Sequence, residues 1–186
     1  SGKVTITAAE AIAGLTIGTG AILNIISGGS LVLSNGVANS GVLQLNSSGA
    51  DPTIAINGTV YLLNNGKLAL LGPTGENLIV GVGGSGATLV NVNNTIIGSG
   101  TIGQGDGALT LINGAAGTIE AKPLSAADSG LLVIDTGNIV SNSGVLEAVA
   151  GGTLQIDDLI TNLGMIGALA GGSVLFIDDT VTNNGF

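Results

Sequence analysis

The pentapeptide Asn-Ser-Gly-Val-Leu stands at Asn39–Leu43 and again at Asn142–Leu146, and looser copies keep its spacing. Asn162-Leu163-Gly164-Met165-Ile166 and Asn183-Asn184-Gly185-Phe186 hold the same slots, at successive steps of 20 and 21 residues. A second element, two glycines followed by a hydroxyl residue and an apolar strand, recurs at Gly28-Gly29-Ser30-Leu31, Gly151-Gly152-Thr153-Leu154 and Gly171-Gly172-Ser173-Val174, in phase with the first. A unit this short cannot bury an apolar face alone, so units must stack on one another.

One repeat reads as Asn-x-Gly, a short apolar strand, Gly-Gly, a second strand ending in Ile-Asp, and a third such as Leu159-Ile160-Thr161. Several strands per turn joined by Gly and Asn corners describe an all-β fold, a parallel β-solenoid. Gly and Asn suit corners because they tolerate positive φ. Residues 1–186 then form a single domain of about nine rungs of roughly twenty residues. An insertion is expected near 121–130, where Lys122-Pro123-Leu124 stretches the period and Pro cannot donate to a ladder. The rival is a sandwich of hairpins, since Asn-Gly occurs at Asn35, Asn57, Asn65, Asn113 and Asn184. In-phase return of the same flanking strands favours stacked rungs. At the ends, Ser1-Gly2-Lys3-Val4 fits the slots of Ser143–Leu146, and Phe186 falls on the first strand position of a further turn. With no polar cap there, the stretch reads as part of a larger protein.

Composition narrows the function. The chain holds 34 Gly, is 2% aromatic and 8% charged, and carries a net charge of −9 from three basic and twelve acidic residues. Three cations cannot neutralise a run of phosphates, which excludes nucleic acid as a partner. Cys and His are both absent, removing thiolate chemistry and the commonest acid-base group. Mean hydropathy is positive, at +0.65. Even so, the uncharged run Ala11–Leu33 is broken by Gly14, Gly18, Gly20, Gly28 and Gly29, so no membrane insertion is expected.

Chemistry-bearing constellations are few. Asp157-Asp158 and Asp178-Asp179 lie 21 residues apart, one rung on, where four carboxylates would repel and a Ca²⁺ would relieve them. They are weak metal candidates, the bland alternative being solvated corners. Gly83-Gly84-Ser85-Gly86-Ala87-Thr88 begins like a calcium-binding nonapeptide but has Thr88 where the ligand Asp belongs. Sugar-cleaving β-helices need facing carboxylates and aromatic platforms. Here Glu10, Glu76, Glu120 and Glu147 are dispersed, as are Lys3, Lys67, Lys122, Tyr61, Phe176 and Phe186. The expectation is therefore no enzyme, no catalytic or cofactor-binding residue, and no cofactor.

The stretches Thr95–Gly103, Gly117-Thr118-Ile119-Glu120-Ala121, Asn142–Ala148 and Gly152–Asp157 resemble the repeats of autotransporter passengers and filamentous-haemagglutinin-type adhesins. The resemblance implies a right-handed β-helix displayed outside a Gram-negative cell, at its outer membrane or secreted. It also implies a rigid, non-catalytic adhesin stalk, with a host or matrix receptor engaged by the parent protein. The alternative is an extracellular filament subunit that partners itself through its end rungs.

Overall fold

A computed structural model describes residues 2–72, 77–84, 86–177 and 180–186. Its 24 strands are sorted into three parallel sheets of eight. The first stacks β1 (Lys3–Ile6), β4 (Ile22–Ile26), β7 (Val42–Asn46), β10 (Lys67–Leu71), β13 (Thr95–Gly98), β16 (Thr118–Ala121), β19 (Val145–Val149) and β22 (Met165–Leu169). The second stacks β2 (Ala9–Ile12), β5 (Ser30–Leu33), β8 (Thr53–Asn57), β11 (Leu78–Val82), β14 (Gly100–Gly103), β17 (Leu131–Asp135), β20 (Thr153–Ile156) and β23 (Ser173–Phe176). The third stacks β3 (Leu15–Ile17), β6 (Val37–Asn39), β9 (Thr59–Leu63), β12 (Ala87–Asn91), β15 (Leu109–Asn113), β18 (Val140–Asn142), β21 (Ile160–Asn162) and β24 (Val181–Asn183). Consecutive strands lie in different sheets, so each triplet is one rung of a β-solenoid. The Asn57-Gly58 dipeptide accordingly turns a corner between β8 and β9 and closes no hairpin.

There are eight complete rungs rather than about nine. The period near twenty holds where Ile22 pairs with Val42 and Val145 with Met165, but Lys67 pairs with Thr95 and Thr118 with Val145, steps of 28 and 27 residues. Extra residues bulge out at corners while the strands keep register. One such bulge, residues 122–130, joins β16 to β17. The run Ala11–Leu33 is spent on short strands, and no helix among the described residues is long and apolar enough to cross a membrane.

Alternation along each strand sends every second side chain inward, and register then stacks like on like. In the second sheet Leu31, Ile54, Ile79, Ile102, Ile134 and Ile156 form one continuous column, each under about 2% exposed. Burying such a side chain stabilises by about 1.5–3 kcal/mol, so aliphatic columns replace the missing aromatics.

The corners separate two uses of glycine. Gly28, Gly151 and Gly171, each first of its Gly-Gly pair, do adopt positive φ, at 78°, 82° and 81°. Gly144, of the Asn-x-Gly corner, does not; a Cβ there would lie 2.2 Å from the Gly117 carbonyl oxygen. That corner needs glycine because successive backbones touch.

Candidate functional site

The Asp pairs are the place to look first. Asp157 and Asp158 follow β20 and line an open groove of about 360 Å³ with Gly137, Asn138, Ile139 and Leu159. Asp158 is no solvated corner: it is 3% exposed and accepts hydrogen bonds from the Thr136 N–H at 2.6 Å and the Gly137 N–H at 2.8 Å. Two backbone donors on a buried carboxylate tie the corner after β20 to the corner of the preceding rung. Asp157 accepts from Gln155 Nε2 at 3.0 and 2.9 Å. Asp178 and Asp179 lie outside the described residues, and among those described no group of three or more acidic side chains is placed to hold a metal ion. Both described carboxylates are thus engaged by the protein's own donors.

Glu120 and Glu147, far apart in sequence, come together. They are register partners on neighbouring strands of the first sheet, and Lys122 Nζ stands 3.6 Å from Glu120 Oε1. Partial burial holds the Glu147 carboxyl above the usual carboxylate range, and the Glu120 charge adds to the effect. The pair sits on an outward sheet face with Glu120 drawn towards Lys122. Glu10 lies at the other end of the molecule and Glu76 outside the described residues.

The dominant polar feature is internal. Asn91 Nδ2 donates to Asn113 Oδ1 at 2.9 Å, Asn113 to Asn142 at 2.8 Å, Asn142 to Asn162 at 2.6 Å, and Asn162 to Asn183 at 2.7 Å. Each carboxamide of the Asn-x-Gly corners also accepts from its own glycine, as Gly144 N–H does to Asn142 Oδ1 at 3.2 Å. The donor hydrogens reach the next strand too, as Asn142 Nδ2 does to the Met165 carbonyl at 3.1 Å. Further up, Gly66 leaves its slot empty of side chain, and Asn39 reaches across it to Asn94 Oδ1 at 2.9 Å. Recurrence of Asn at 142, 162 and 183 was the sequence signal for this ladder. Asn91 and Asn113 escaped it because bulged corners shift their spacing.

A second polar knot closes the long corner: Asp128 accepts from Ser99 Oγ, from the Leu124 N–H at 2.9 Å and from the Gly130 N–H at 3.0 Å. These groups pin backbone. No protein-family model, curated protein or solved structure matches the chain.

Proposed function

We propose that this chain is a rigid, non-catalytic spacer of a secreted or surface-displayed bacterial protein of the adhesin type. The observation that carries the reading is the asparagine ladder running inside an unbroken aliphatic core. The polar groups with the most partners are spent on holding one rung to the next, at right angles to the strands. A spacer must resist bending and unravelling along its axis, and hydrogen bonds directed along that axis supply the resistance. Eight rungs at about 4.8 Å each give a rod of about 35 Å. The outward Glu120–Glu147 pair and the Asp157 groove lack the aromatic platforms that sugar chemistry uses.

The test is mechanical. Held by its two ends under force, the chain should extend in steps of one rung, and Asn142→Leu should lower the force at which they begin. Low-force extension in a single smooth phase, or turnover of a polysaccharide by the isolated chain, would rule the spacer out. The filament alternative gains support from the exposed edge strands of the first and last rungs. Head-to-tail stacking would, however, set Glu10 of one copy against Phe176 of the next.

A further inference from the structure

The two ends of the solenoid differ in chemistry. Register extends the aliphatic column of the second sheet in both directions, to Glu10 above Leu31 and to Phe176 below Ile156. Glu10 shares the open mouth of the first rung with Val4, Ile6, Ile12, Leu23 and Leu31. A rung laid on that mouth would bury a carboxylate against apolar side chains with no partner. The asparagine ladder does not reach this end either, since Ile17 is the register partner of Asn39.

At the other end everything needed to seat a strand is in place. Phe176 and Leu169 are 41% and 53% exposed, half-covered members of the last rung. Asn183 Oδ1 already accepts from Asn162 Nδ2 and from the Gly185 N–H, so the ladder, which donates in one direction throughout, ends on the Asn183 amide hydrogens. Phe186 has begun a ninth strand on β22: its N–H donates to Gly164 O at 2.8 Å and its carbonyl accepts from the Ile166 N–H at 2.9 Å.

We propose that the C-terminal face docks one further β-rung in parallel register, a segment entering through Phe186 and carrying an asparagine corner, and that Glu10 closes the N-terminal face to the same ligand. The segment is tethered, because fixing about twenty residues costs a free peptide more entropy than a single layer of contacts returns, and a tether supplies the effective concentration. This goes beyond the spacer reading and does not depend on it.

The probe is a copy of residues 146–164 joined either directly after Phe186 or, through a short Gly-Ser linker, before Gly2, followed by amide hydrogen exchange. After Phe186 the copied strands should be protected at least about 100-fold over a free chain. Before Gly2 they should exchange as free chain, and Glu10→Leu should restore protection there. Changing the copied Asn162 to Leu, or Asn183→Ala in the host, should cut C-terminal protection about tenfold or more, with host circular dichroism unchanged. Free-chain exchange of the C-terminal copy, equal protection at both ends with Glu10 intact, or indifference to both asparagine changes would each overturn the proposal. Equal binding by the same peptide added untethered would overturn the tether.

Discussion

Asn142 Nδ2 donates to Asn162 Oδ1 across the rung interface at 2.6 Å, and both side chains are buried, at 1% and 0% exposure. Removing either carboxamide strands its neighbours' donors and acceptors where water cannot reach. Asn142→Leu leaves Asn113 without its acceptor and Asn162 without its donor. Each orphaned group costs about 1–3 kcal/mol, so a loss of about 2–5 kcal/mol is expected in denaturant unfolding. Thr161→Ala, on the outer face one residue away, should cost under about 0.5 kcal/mol.

Gly144 and Gly28 should answer differently to substitution. Gly144→Ala forces a Cβ into the Gly117 and Gly114 carbonyls, at 2.2 and 2.3 Å, and the rung must separate; about 1–3 kcal/mol is expected. Gly28→Ala meets nothing within 4 Å and pays only for its φ of +78°, about 1 kcal/mol. Replacement of each by D-alanine in a semisynthetic chain separates the causes. Gly28 should accept it freely, and Gly144 should not.

Glu147 sets a pH dependence of known sign. Because burial and then Glu120 hold its carboxyl above the ordinary value of 4.5, the folded state favours the protonated form. Its contribution is fully present below that ordinary value and is lost as pH rises through the raised one. Glu147→Gln should remove this step, leaving the variant's melting temperature flatter across the mildly acidic range and at least equal to the parent's at neutral pH. A steeper fall in the variant would contradict the assignment.

Asp158 should behave as a cap. Asp158→Asn keeps the shape but loses the charge on the acceptor of two N–H groups, for a cost of about 1–3 kcal/mol. A chelator should leave the parent's melting temperature unchanged. A drop reversed by added Ca²⁺ would make Asp157 and Asp158 ligands instead.

The in-phase recurrence of Asn-x-Gly and Gly-Gly determined the solenoid, because only stacked rungs require the same corner to return at each turn. It also marked Asn142, Asn162 and Asn183 as equivalent. Tertiary structure alone decided what they do. Tolerance of positive φ is the local reason for an Asn at a corner, whereas these asparagines face inward and bond along the axis, a relation between residues twenty apart. Rung number was settled the same way, since Lys67 finds Thr95 by strand pairing across a bulge that no period predicts. Asp158 was legible as a carboxylate at a corner, but its partners Thr136 and Gly137 come from the rung before. Glu10 was an ordinary acidic residue until the register of β2 on β5 set it in an aliphatic column. Sequence specifies the period and the alternation of faces; which neighbours a side chain meets is fixed only when rungs of unequal length are brought into register.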